Sequence, residues 1–177
     1  QIRDTYTKED LKGLYNKVFS NDNVFIHAHF GTNDIDAIFN KLRYLIIGCD
    51  CKWIVVDHLH MLVSSLIEGD ERRAIDNIMT RLRSLVEETG AGIILVSHLR
   101  RIEGNKGHEN GIQVNLSHLR GSQAIAQLSD CVIALERNQQ ALDDLESRTT
   151  KLRVLKSRYT GDVGLATSLI YNTTTGR

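Results

Sequence analysis

Two continuous apolar runs, Trp53-Ile54-Val55-Val56 and Ile93-Ile94-Leu95-Val96, flank a stretch with helical periodicity, and that order constrains the fold more than any other feature. Runs of this kind are expected of strands buried on both faces. Between them Ile75, Ile78, Met79, Leu82, Leu85 and Val86 form one stripe of a helix over 70–88. Asp70 and Glu71 suit the positive end of its dipole, and Gly90 stands where a left-handed residue ends a helix. Strand, helix, strand implies parallel strands joined by a right-handed crossover. A short helix over 120–128 and a third buried strand, Cys131-Val132-Ile133-Ala134-Leu135, extend the alternation.

The remaining segments fit around this core. Val24-Phe25-Ile26 reads as a short strand, and Ile35, Ile38, Phe39, Leu42, Leu45 and Ile46 as a helix over 35–47. A polar, glycine-bearing loop covers 100–117. The polar run 138–150 reads as a hairpin-like connection. Late strands at Leu152–Leu155 and Leu165–Ile170 meet at a Thr160-Gly161-Asp162 turn and are expected at one edge of the sheet. With 177 residues and ordinary apolar content, one domain with a real core is expected. No apolar run approaches the ~20 residues that cross a bilayer. Lys plus Arg equals Asp plus Glu at 22 each, which excludes a globally basic nucleic-acid binder. Any such contact must come from a local patch. Cys49, Cys51 and Cys131 lack a disulfide framework and suit a reducing compartment.

Ligands of parallel α/β sheets gather at the carboxyl ends of the strands. That rule selects Asp57, Ser97 and His98. An apolar strand ending in Asp57 places a carboxylate where it can hold hydrated Mg²⁺, although a turn cap needs the same residue. Ser97 and His98 can sense a terminal phosphate, although a lone histidine at a strand end is usually only hydrogen-bonded. Lys156 and Arg158 lie at i and i+2, so their charges repel unless an anion sits between them.

The chain holds, in order, Val-Val-Asp-His, Asp-Glu-Arg-Arg, Ser-His-Leu-Arg, Leu-Arg-Gly-Ser, Gln-Leu-Ser-Asp, Leu-Glu-Arg-Asn-Gln-Gln and Lys-Ser-Arg-Tyr-Thr-Gly-Asp. This series resembles the DnaB family of hexameric replicative helicases, nearest to the helicase half of bifunctional phage primase-helicases (Twinkle-like). The match runs from about Phe25 to the end of the chain. The resemblance implies a RecA-like parallel sheet flanked by helices, with extra strands at one edge. It implies that Asp57 is the Walker B carboxylate on Mg²⁺, with ATP or dTTP as the nucleotide, and that His98 is the γ-phosphate sensor. Gln127 would link phosphate state to DNA. Arg120 and Gly121 would open the same motif and face a central channel. Arg158 would be the arginine finger for the neighbouring subunit's nucleotide, with Lys156 as its companion. Arg137 and Tyr171 would sandwich the base. Arg100 and Lys106 would lie in the loop that tracks single-stranded DNA, where Glu103 and Gly104 stand in place of further cations.

By the same resemblance the partners are single-stranded DNA, a homo-hexamer with active sites between subunits, and replisome proteins such as a polymerase, with no membrane. The expected location is the cytoplasm of a phage-infected bacterium, or else a mitochondrial or plastid nucleoid. No G-x-x-x-x-G-K-[ST] occurs in the sequence. The family's phosphate loop and catalytic glutamate would fall before Gln1, so residues 1–177 are expected to be a partial ATPase domain truncated at its N-terminus and inactive alone.

Two other readings use different residues. A metal-dependent hydrolase would draw on His27, His29, Asp57 and His58, with His60 and His98 nearby. It leaves the arginine motifs without a purpose. A non-catalytic RecA-like binding module is the third reading.

Overall fold

The computed structural model describes residues 6–20, 23–27, 34–64, 71–102, 107–121 and 123–176. Helix α1 (Lys8–Phe19) starts in a capping box, in which the Thr7 hydroxyl accepts from the Asp10 N–H and Asp10 accepts from the Thr7 N–H. Helix α2 (Ile35–Arg43) is capped by Asp34, which accepts from the Asp36 and Ala37 N–H groups, and runs on into a π-helical turn at Tyr44–Gly48. Strand β1 (Trp53–Val56) leads to α3 (Leu59–Ser64), and α4 (Glu71–Thr89) leads to β2 (Gly92–Leu95). A 3₁₀ turn at Leu116–His118 and helix α5 (Gln123–Leu128) precede β3 (Cys131–Arg137). Helix α6 (Asp144–Arg148), β4 (Thr149–Ser157) and β5 (Gly164–Ile170) complete the described elements.

Strands β1 and β2 pair in parallel from Trp53 opposite Gly92 to Val56 opposite Leu95. Gly92 is required there, because a Cβ would lie 2.3 Å from the Trp53 ring. Helix α4 buries Ile75, Ile78, Met79, Leu82 and Leu85, the face its periodicity predicts. It packs with Ile54, Leu59, Leu62 and Val63 into one apolar cluster. Gly90 ends α4 at φ 70°, as expected.

Several expectations need correction. The 24–26 segment forms no strand, and Ile26 is 75% exposed. Strands β1 and β2 are covered on one face only, since Trp53, Val55 and Ile94 are exposed while Ile54 is buried. Among the described residues β3 pairs with β4 alone, antiparallel, and β4 pairs antiparallel with β5. A continuous apolar run fits either kind of pairing, and β3 alternates, burying Ala134 and Glu136 and exposing Ile133 and Leu135. The 138–150 connection holds a short helix, α6, capped by Asp143.

Candidate nucleotide and DNA site

The carboxyl ends of β1 and β2 meet three other segments. The Leu59 N–H donates to the Val96 carbonyl at 2.9 Å, tying the start of α3 to the end of β2. The Arg120 N–H donates to His98 at 3.1 Å, and the Arg100 N–H to His118 at 2.8 Å, closing the loop after β2 onto the segment before α5. The Arg120 guanidinium lies 3.3 Å from Glu71 at the start of α4. Asp57, exposed, thus shares one end of the sheet with His58, His60, His98, Arg100 and Arg120.

His60 is buried and neither of its ring nitrogens has a hydrogen-bond partner. Burial pushes its imidazole below the ordinary histidine range, and Arg120 and His98 add to that; Glu71 and the nearby Arg120 backbone oppose it. The His58 and His98 rings lie 4.1 Å apart, centre to centre, in edge contact. In the loop, His108 Nε2 approaches the Arg100 carbonyl at 3.1 Å and its ring packs on His118. Burial, then His108 and Arg100, lowers the His118 pKa.

A second group of charges sits at the far end of α4. Asp130 accepts from Arg83 of α4 at 2.7 Å and from Arg158 at 3.3 Å. Lys156 donates to the carbonyls of Ala126, Gln127 and Ser129 at 2.7–3.1 Å. Its charge therefore caps the carboxyl end of α5. The expectation that Lys156 and Arg158 need an anion between them is corrected: each has its own protein partner.

The family model described as "DnaB-like helicase C terminal domain" matches residues 1–176. The chain belongs to this family. A "DNA helicase/primase" of Enterobacteria phage T3 is 41% identical over 162 residues, which is 92% of the chain but 28% of that relative. The chain thus spans less than a third of the phage protein's length. Two solved structures share the fold. One, an isolated ATPase domain, has a TM-score of 0.75 at 21% identity, covering 99% of this chain and 62% of that one. "The Structure Of A DnaB-Like Replicative Helicase And Its Interactions With Primase" has a TM-score of 0.72 at 20% identity, covering 95% of this chain and 40% of that one.

In this DnaB-like domain the expected site residues fall into three groups. Asp57, His98, Arg100, Arg120 and Gly121 converge at the strand ends. Gly121 is held at φ 103°, and a Cβ there would meet the Ile75 side chain at 2.1 Å, so its backbone conformation and close packing both demand glycine. Arg158, Lys156 and the exposed Gln127 gather around the carboxyl end of α5. Arg137 and Tyr171 share one end of the antiparallel sheet, where Arg137 pairs with Thr150 and the Tyr171 N–H donates to Arg148. Arg137 lines a cavity of about 310 Å³, but its Nε donates to the Ser147 carbonyl at 2.6 Å. Lys106 and His29 lie outside the described residues. The hydrolase reading fares poorly, since the imidazoles that converge are His58, His60 and His98, without His27 or Asp57.

Sequence reasoning missed four residues that organise the site. Glu71 sets Arg120, and Asp130 sets Arg158. Glu136 accepts from the Val114 N–H at 2.8 Å and from Arg153 at 2.7 Å, joining the loop to the antiparallel sheet. Its hydrogen bond raises the Arg153 pKa. His60 was noted only as one of several possible ligands. Asp130 carried a signal, an acid between a helix and a strand; Glu71 and Glu136 carried none, because their partners are distant in sequence.

Proposed function

We propose that this chain forms part of the motor of a replicative DNA helicase, which couples nucleoside triphosphate hydrolysis to translocation on single-stranded DNA and duplex unwinding. The observation that carries this reading is the separation of its charged groups along α4. Arg120 is anchored at Glu71, and Arg158 is anchored through Asp130 at Arg83. Twelve residues of helix separate these anchors by about 18 Å. A cation that far from Asp57 and His98 cannot reach a phosphate held by them in its own subunit. It is suited to a neighbour's nucleotide, as an arginine finger between subunits of a homo-hexamer.

Other features support the same reading. Leu11, Leu14, Tyr15, Val18 and Phe19 recur at helical spacing on α1, yet all are exposed, as expected of a stripe that seats on another subunit. Arg100 and Arg120 sit on segments held together at the strand ends, where cations can follow a DNA backbone. The exposed Asp57 carboxylate fits Mg²⁺, which takes one or two carboxylates and completes its shell with phosphate and water. That ion would neutralise charge on the β- and γ-phosphates of ATP or dTTP. On this reading Gln127 couples nucleotide state to DNA, and Arg137 and Tyr171 hold the base. A replisome polymerase is the expected further partner, in the cytoplasm of an infected bacterium or, alternatively, an organellar nucleoid.

The test uses the full-length protein. Arg158→Ala and Asp57→Asn should each lower DNA-stimulated hydrolysis by about three orders of magnitude or more. Mixing the two variants should restore part of it, because some interfaces then pair an intact Asp57 with an intact Arg158. Hydrolysis by Arg158→Ala within a few-fold of wild type would end the finger assignment.

A further inference from the structure

We infer that His58, His60 and His98 form a binding site for a transition-metal ion of the zinc class, separate from the Mg²⁺ that accompanies nucleotide. Their candidate ligand nitrogens all lie within 4.8 Å of one another. His60 is 9% exposed, and neither of its ring nitrogens has a hydrogen-bond partner; the Nδ1 of His58 is also buried without one. Buried polar atoms in native proteins are nearly always satisfied, so an unpartnered pair of imidazoles facing a third marks a position for a ligand. An electron-pair acceptor is what unprotonated imidazole nitrogens lack. The three rings meet on one another, at centroid distances of 4.1, 5.4 and 6.1 Å, with no carboxylate among the converging ligands.

The donor set fixes the class of ion. Three neutral nitrogens suit Zn²⁺, Co²⁺ or Ni²⁺, whereas Mg²⁺ and Ca²⁺ seek oxygen. In a tetrahedral site with Zn–N bonds near 2.0–2.1 Å, ligand nitrogens stand about 3.3 Å apart. Closing from the observed spacing therefore asks for a ring movement of about an ångström or more. His98 can supply it, because it is exposed and lies beyond the end of β2. The backbone is already fixed: Leu59, between His58 and His60, is fully buried and bonded to Val96, and the His98 carbonyl is held by Arg120. The nearest positive charge, Arg120, is offset by Glu71. The exposed side at His98 leaves an entry path and a fourth position for water.

Co²⁺ titration of the full-length protein without nucleotide tests this directly and does not depend on helicase activity. The difference spectrum, wild type minus His98→Gln, should give the intense visible absorption of four-coordinate Co²⁺, bleached by added Zn²⁺. Removing a group that merely orients a metal ligand costs ~10–100-fold in affinity. Loss of His98 or His58 should cost at least ~10-fold. His60→Asn should behave likewise; if that buried change unfolds the protein, His58→Gln and His98→Gln still decide. Identical Co²⁺ spectra and affinities for wild type and His98→Gln would overturn the site. So would binding that responds to His118→Gln and not to His98→Gln.

Discussion

The two halves of the domain are held together by different forces. Around β1 and β2, the α-helices form an apolar cluster that runs from Phe39 to Ile125 and takes no residue from β4 or β5. Burial of that kind is non-directional and grows with area, by about 25 cal/mol per Å². The antiparallel sheet buries little; Ala134 and Glu136 are its buried positions among the described residues. It relies on its backbone ladders and on one sequestered carboxylate, Glu136, that serves both Arg153 and Val114. An apolar cluster tolerates a lost contact in proportion to its size. A buried polar junction fails when one member is lost, because the partner is left charged or unpaired.

The largest expected effect breaks the polar half. Arg153→Ala strands Glu136, whose side chain is 4% exposed, and should cost about 3–5 kcal/mol in denaturant unfolding. The pair Glu136→Gln with Arg153→Met keeps an oxygen for Val114 and removes both charges, so it should recover most of that loss. A single variant as stable as wild type would show that the sheet does not depend on this junction. In the apolar half, Ile78→Ala should cost about 2–5 kcal/mol, set by how far α4 closes on the cavity, while Ile78→Val should cost about 0.5–1.5 kcal/mol. A graded loss there beside an abrupt one at Arg153 is the signature of the contrast.

The same contrast explains what the sequence made legible. Periodicity found α4 to within a residue, together with β1, β2 and the core residues of α4, because apolar burial writes a pattern into neighbouring positions. It also placed Asp57 and His98 at strand ends. It did not find α1, whose stripe contacts nothing in the described fold, nor α3, only six residues long. It could not tell that β3 pairs antiparallel, since pairing partners leave no local period. The roles of Glu136, Glu71 and Asp130 were invisible for the same reason: their partners lie 17, 49 and 47 or 28 positions away. Lys156 misled, because two cations at i and i+2 suggested a phosphate while the actual partners are backbone carbonyls of a preceding helix.

That helix is one place where the halves touch, and Lys156→Met sharpens the comparison there. It leaves the carbonyls of Ala126, Gln127 and Ser129 without their cation. A partly buried charge at a helix carboxyl end is worth up to ~2 kcal/mol. The expected loss is therefore smaller than at Arg153 and confined to α5, visible as faster amide exchange over 123–128 with little change in α4. Faster exchange throughout α4 as well would mean that the two halves are not separable.

The smallest expected effect on stability falls at Asp130, which joins Arg83 of the apolar half to Arg158 at the end of β4. Arg83 keeps a second partner, Glu87 at 2.8 Å, and the Arg158 side chain is 60% exposed. Asp130→Asn should therefore lower unfolding free energy by no more than ~1 kcal/mol, the worth of solvent-exposed pairs. Its consequence for hydrolysis should be larger than its consequence for folding. Within one subunit, Asp130 is the acid that holds the Arg158 guanidinium in place, and a finger that acts across a boundary must arrive already oriented. In full-length assemblies Asp130→Asn should lower hydrolysis well below wild type while staying above Arg158→Ala, and it should add nothing when combined with Arg158→Ala. An additive loss in the double variant would show that Asp130 acts through something other than Arg158. Unchanged hydrolysis would show that the pair is only one more surface contact between the two halves.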